Sequence, residues 1–291
     1  HRSGHSFPTR RSSDLETVSD SDVENIEIRA TSADIKIVSV DREDIYAKLS
    51  GDVSEKNKDK YKLKVKEVDG NVHIEVEQPK MEFQFGTNIT NLKLDVEVPE
   101  RTFAELSTYS TSSDIHMSGL QVGSLRTEVT SGDILVEGIK ITDNYSIELT
   151  SGDVRIENTE AKDITIEGTS GDITFKEVLG DVQVDTTSGD INVLGVQGNI
   201  DVETTSGDIE IDNERVTGNL EVEVTSGDVR VQFDEIPTSL AVDFQGRSGK
   251  GTVNLDGMQY VEKSEKRIEG QIGDGEFLLT VRTTSGDFRL N

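Results

Sequence analysis

The chain has 291 residues with no cysteine and no tryptophan, only four prolines and 5% aromatic residues. The missing cysteines exclude disulfides and thiolate metal sites. No apolar run approaches the roughly 20 residues that a membrane-spanning helix needs. Positive charge is scarce: 30 Lys and Arg stand against 57 Asp and Glu, for a net charge of −27. Nucleic acid is therefore disfavoured as a partner, since phosphate binding needs a basic surface. Apolar residues make up only 32% of the chain, which suits a thin, repeated core better than a globule. No segment shows the 3.6-residue apolar spacing of a helix.

What is present is a repeat. Thr-Ser-Gly-Asp stands at 130–133, 150–153, 169–172, 187–190, 205–208 and 225–228. A variant, Thr-Ser-Ser-Asp, precedes the set at 111–114, and a last copy stands at 284–287. The aspartates from Asp114 to Asp228 are 19, 20, 19, 18, 18 and 20 residues apart. A period near 20 implies stacked supersecondary units, none able to bury a core alone.

The residues between the tetrapeptides define the unit. Leu220, Val222 and Val224 alternate with Glu221, Glu223 and Thr225, and Val229, Val231 and Phe233 alternate with Arg230 and Gln232. Period two is the strand signal, one face buried and one wet. Gly132, Gly152, Gly171, Gly189, Gly207 and Gly227 mark the corners, where glycine takes positive φ at no steric cost, and Ser226 is expected inward. A second corner column runs through Val122, Ile141, Ala161, Val178, Val196, Val216 and Ile236. Identical motifs at constant phase are expected to lie above one another in parallel register. The fold predicted is all-β: a parallel β-solenoid, a right-handed β-helix with rungs of about 18–20 residues and a β-rich N-terminal cap.

Three regions are expected. Residues 1–15 are basic, lack strand pattern and resemble a translated sequencing adaptor, so they are read as an artificial, disordered leader. The first methionine is Met81, so the native N-terminus is expected to be missing, and with it any signal or anchor. Residues 16–100 are read as the cap and first rungs: Ile26, Ile28, Ile35 and Ile37 flank an early corner, Asp69-Gly70 marks a hairpin, and Met81, Phe83 and Phe85 form a short apolar alternation. Residues 101–291 are read as the solenoid, with Ser248-Gly249-Lys250 a degenerate corner carrying Lys in the Asp place.

No catalytic constellation emerges. The histidines are His1 and His5 in the leader and the outward His73 and His116, and the equivalent serines of the repeat lack the uniqueness of a nucleophile. The carboxylates form the one patterned feature. Asp133, Asp153, Asp172, Asp190, Asp208 and Asp228 are expected to stack. Five residues before each stands an outward acid: Glu128, Glu148, Glu167, Asp185, Glu203 and Glu223. Each Asp is expected to cap a corner N–H, and the two columns are the candidate face for calcium or a cationic partner.

Tandem Thr-Ser-Gly-Asp-Ile/Val units, and the C-terminal Ile268-Glu269-Gly270-Gln271-Ile272-Gly273 followed by 278–288, resemble the bacterial "putative adhesin" family of β-strand-repeat domains of unknown function, over Glu24–Asn291. The resemblance implies a β-helical protein of the cell envelope or surface with no assigned reaction and no cofactor. The expected function is a non-enzymatic, extracytoplasmic scaffold whose acidic face meets a cationic peptide or envelope component. The alternatives are a polysaccharide-active β-helix enzyme, which wants long loops around a cleft, and an ice-binding solenoid, which wants paired outward threonines.

Overall fold

A computed structural model describes residues 8–10, 14–19, 22–54, 60–78 and 90–291. Met81, Phe83 and Phe85 lie outside the described residues. Among the described residues the regular elements are all strands, and none is a helix. The chain divides into two compact units, His1–Leu135 and Val136–Asn291.

In the second unit the period-two pattern is realised as burial. Leu220, Val222 and Val224 are buried while Glu221 and Glu223 are exposed, and beyond the corner Val229, Val231 and Phe233 are buried again. Parallel pairing keeps like residues in line. Val182, Ile200 and Leu220 are successive partners, as are Val184, Val202 and Val222, and so are Ile173, Ile191, Ile209 and Val229. Each such ladder is a strip of core one side chain wide. Burying one of these valines or isoleucines contributes about 1.5–3 kcal/mol, and Val222 is fully covered between Val202 and Val281.

The stacking order departs from the chain order at the end of this unit. Leu220–Ser226 pairs with Phe277–Ser285, the last long strand, and not with Leu240–Gly246, the next one. Leu240–Gly246 then pairs with the far side of Phe277–Ser285 in parallel and with Arg267–Ile272 antiparallel, and Gln259–Lys263 adds one more antiparallel strand. The last Thr-Ser-Gly-Asp copy is thus drawn inside the stack, and the out-of-phase hairpin covers an edge that would otherwise be open to pairing.

The first unit does the same. Asn25–Ala30 lies between Asn71–Glu77 and Thr102–Ser112, parallel to both, and Ala33–Val40 lies between Thr90–Pro99 and Ile115–Ser118. Two antiparallel partners close the end: Lys62–Val68 along Asn71–Glu77 and Asp44–Ser54 along Thr90–Pro99. The Asp69-Gly70 turn has φ of 50° and 76° and joins Val68 directly to its partner Asn71, as a type I′ hairpin requires.

Three expectations are corrected. The leader was expected to be disordered, yet Pro8–Arg10 pairs antiparallel with Asp52–Ser54, and Asp14–Ser19 with Asp44–Leu49. Asp44–Ser54 is a long edge strand whose free backbone groups accept any extended segment. The repeat serines are not inward: Ser131, Ser151, Ser170, Ser206 and Ser226 are exposed and Ser188 is half-buried, because the chain already turns outward before the corner glycine. Ile236 leaves its corner column and is 63% exposed, with the buried Pro237 beside it.

Candidate functional site

The corner glycines set the geometry of the stacked carboxylates. Gly132, Gly152, Gly171, Gly189, Gly207 and Gly227 all have φ between 129° and 149°. Contact with the neighbouring repeat is the stricter demand: a Cβ on Gly207 would lie 2.0 Å from the carbonyl oxygen of Gly189. At these six positions glycine lets the corners stack at strand spacing, about 4.8 Å.

The stacked aspartates form a hydrogen-bonded ladder. In the second unit Oδ1 of Asp153, Asp172, Asp190 and Asp208 accepts the backbone N–H of Asp172, Asp190, Asp208 and Asp228 respectively, at 2.8–2.9 Å. The series continues from Asp228 to the N–H of Asp287 and from Asp287 to the N–H of Lys250. Lys250 needs no carboxylate because no Asp-bearing repeat follows it. In the first unit Asp34 receives Asp114, and Asp114 receives Asp133. Neighbouring carboxylates about 4.8 Å apart repel by about 0.9 kcal/mol at water's dielectric. A hydrogen bond to a charged group contributes about 1.5–3 kcal/mol, less when exposed, and offsets that repulsion.

The outer column is in register, and from Glu167 onward it has no such compensation among the described residues. Glu148, Glu167, Asp185, Glu203 and Glu223 are successive partners on adjacent parallel strands. Glu167, Asp185, Glu203 and Glu223 make no hydrogen bond or ion pair to a described residue and are exposed. Glu128, in the first unit, is paired to Arg126. Exposed threonines at 150, 169, 187, 205 and 225 run between the two acidic columns. Thr186 and Thr204, by contrast, are buried, so outward Thr pairs do not form. Among the described residues no group of three or more His, Asp or Glu converges as a metal ion would require. Each repeat presents its carboxylates singly.

Family models match residues 23–193 and 178–291 with the Toastrack DUF4097 description. The chain belongs to the Toastrack DUF4097 family. Two solved structures from Parabacteroides distasonis share its fold. One, described as a putative lipid binding protein, is 14% identical over 96% of this chain and 97% of its own, with a TM-score of 0.51. The other, described as a putative adhesin, is 15% identical over 97% of this chain and 98% of its own, with a TM-score of 0.50. No curated protein matches the chain.

Two features of this Toastrack chain escape a reading of its sequence. The first is a second side-chain ladder: Asp181 Oδ1 accepts the N–H of Asn199, Asn199 Oδ1 that of Asn219, and Asn219 Oδ1 that of Leu278, at 2.8–3.0 Å. Its signal is the Gly-Asp/Asn pairs at 180–181, 198–199 and 218–219, which show a corner but not a carboxyl–amide chain. The second is a left-handed corner at Gly138, Asn158, Glu177 and Gly195, with φ of 49–72°. Residue types there are too mixed to stand out.

The outer column also changes sign at its far end. Arg282 is the register partner of Glu223, and Gln245 that of Arg282. Arg282 turns to Asp243, with Nη2 2.6 Å from Oδ2 and Nη1 2.8 Å from the carbonyl. Asp243 Oδ1 lies 3.6 Å from Arg267 Nη1, an ion pair beyond hydrogen-bond distance, and Arg267 also meets Glu262 and Glu269. These charges tie together the four terminal strands. In the first unit Glu27 is held below its ordinary carboxylate range chiefly by its hydrogen bond to Arg29, against an opposing push from burial and with a further lowering by His73. Among the described residues no helix is long and apolar enough to cross a membrane.

Proposed function

We propose that this chain is a non-enzymatic, extracytoplasmic scaffold of the bacterial cell envelope or surface, adhesin-like, whose acidic face binds cationic groups of a partner. The observation that supports the reading most is the run Glu148, Glu167, Asp185, Glu203 and Glu223, held in register beside the aspartate ladder. A row of like charges along one line concentrates negative potential, steers cations and is screened over about 8–10 Å at physiological salt. With one carboxylate per column per repeat, the face attracts calcium or a basic peptide as a field and not as a chelate. The reading includes rungs of 18–20 residues, supported by register offsets such as Ile173 to Ile191 and Val202 to Val222, a right-handed coil on the general preference of parallel crossovers, and a division into an N-terminal cap over 16–100 and a solenoid over 101–291. A cation that binds only the folded face raises its melting temperature by linkage.

The test changes Glu148, Glu167, Glu203 and Glu223 together to Gln, leaving the aspartate ladder intact. Fluorescently labelled oligolysine should bind the wild-type chain at low salt, release as salt rises, and fail to bind the variant. Wild-type protein that binds no oligolysine, and whose melting does not move in millimolar calcium, would show the face to be a solvated surface only.

A further inference from the structure

We infer that the cleft where the acidic column meets its basic end is a binding site for a zwitterion carrying a second amine, a lysine-type amino acid or a short peptide ending in one. The cleft has a volume of about 470 Å³ and is bounded by Glu203, Glu223, Arg247 and Arg282, within the range of about 300–1,000 Å³ typical of small-ligand sites. Its charges are of both signs and are not used on each other. Arg282, although in register with Glu223, is neutralised by Asp243. Glu203 and Glu223 on one wall and the exposed Arg247 on the other make no ion pair among the described residues. The cleft therefore offers two open anionic positions and one open cationic one.

The spacing selects among ligands. Arg247 immediately follows the strand Leu240–Gly246, which lies two strands from Leu220–Ser226, a separation of about 10 Å. A carboxylate on Arg247 and an ammonium at Glu223 must accordingly be several bonds apart, as the carboxylate and side-chain amine of lysine are. The side-chain ammonium sits between Glu203 and Glu223, register partners on adjacent strands, while the α-ammonium stays beside the carboxylate. No aromatic ring lines the cleft, which disfavours a pyranose, whose apolar face seeks such a ring. A guanidinium that can take a carboxylate with two parallel hydrogen bonds makes Arg247 the residue that separates this site from the rest of the face. The inference rests on the acidic-face reading for its cationic half and adds the anion-holding end.

The experiment is calorimetric titration of the whole chain at low salt with L-lysine, cadaverine, which lacks the carboxylate, and norleucine, which lacks the second amine. L-lysine should bind saturably at one site, and the other two at least about tenfold more weakly, the loss of one charge-assisted contact. Arg247→Gln should weaken L-lysine about tenfold while leaving cadaverine unchanged, and Arg247→Lys should restore part of the loss. Glu223→Gln should weaken L-lysine and cadaverine, the two ligands that carry an amine at that end, and leave norleucine unchanged, whereas Glu210→Gln, on another face, should change nothing. Melting curves of each variant show that the fold is retained. Absence of L-lysine binding while oligolysine still binds would overturn the cleft and leave the acidic face standing. Equal binding of L-lysine and cadaverine, insensitive to Arg247→Gln, would also overturn it, as would saturable binding of a neutral oligosaccharide in place of lysine.

Discussion

Replacing Gly207 by alanine should be nearly as damaging as replacing it by valine, and the reason lies in the neighbouring repeat. The φ of 135° is one that side-chain-bearing residues seldom adopt, which costs about 1–3 kcal/mol. The added Cβ would also sit 2.0 Å from the Gly189 oxygen and 2.6 Å from its carbonyl carbon. Ordinary contact needs more than an ångström of further separation, and the backbone bonds across this corner cannot stretch that far. Gly189 N–H to Ser206, Gly207 N–H to Ser226 and Asp208 N–H to Asp190 are 2.8–3.1 Å long and would be lost or weakened. At about 1 kcal/mol each, these losses bring the total to about 4–6 kcal/mol for either substitution. Gly138 is the control. Its φ is 62° and a Cβ there meets nothing within 4 Å, so Gly138→Ala should cost only the left-handed strain, about 1–2 kcal/mol. Urea unfolding followed by far-ultraviolet circular dichroism measures both. If Gly207→Ala stayed within about 0.5 kcal/mol of wild type, or Gly138→Ala cost as much as Gly207→Ala, stacking contact would not be what requires glycine at this corner.

Further outcomes follow from the same packing. Val222→Asp should abolish folding of the adjoining repeats, since it places an unpaired charge between Val202 and Val281, while Glu221→Lys, exposed and opposite Asp201, should shift stability by less than about 0.5 kcal/mol; similar melting of the two would invert the assignment of faces. Asp208→Ala removes the acceptor of the Asp228 N–H and should cost about 1 kcal/mol, whereas Asp208→Asn should be close to silent, because Asn199 and Asn219 do the same task in the other ladder; an Asn variant as damaged as the Ala variant would mean that charge and not acceptor geometry holds the column. The lowered Glu27 carboxyl contributes stability that is present above its unfolded value and lost as pH falls through the folded one. Wild type should consequently lose slightly more stability than Glu27→Gln between about pH 5 and pH 3, a difference kept small by the exposure of the Arg29 partner, and identical acid titrations of the two would remove this contribution.

Much of this protein was legible without coordinates because its determinants are local. Strand identity follows from period-two alternation, as at Leu220–Val224, and corner position from a glycine that recurs at one phase. The recurrence of an aspartate five residues after each outward acid could be read from spacing alone. Local rules failed where they depended on a backbone turn they could not resolve: Ser226 reads as inward by alternation, but the chain bends outward before Gly227 and leaves it exposed. Stacking order was not legible at all. Repeats that share one phase can pair with any other copy at equal register, so the sequence around Leu220 does not distinguish Leu240 from Leu279 as its neighbour. Tertiary structure decided for Leu279, because Leu240–Gly246 carries the antiparallel pair Arg267–Ile272 and Gln259–Lys263 that ends the stack, which leaves Phe277–Ser285 on its inner side. That choice alone sets Arg282 beside Glu223 and Arg247 across the cleft from it. Composition and periodicity therefore determined columns of carboxylates on parallel strands, while the point at which the outer column reverses its charge arose only from which strand closes the stack.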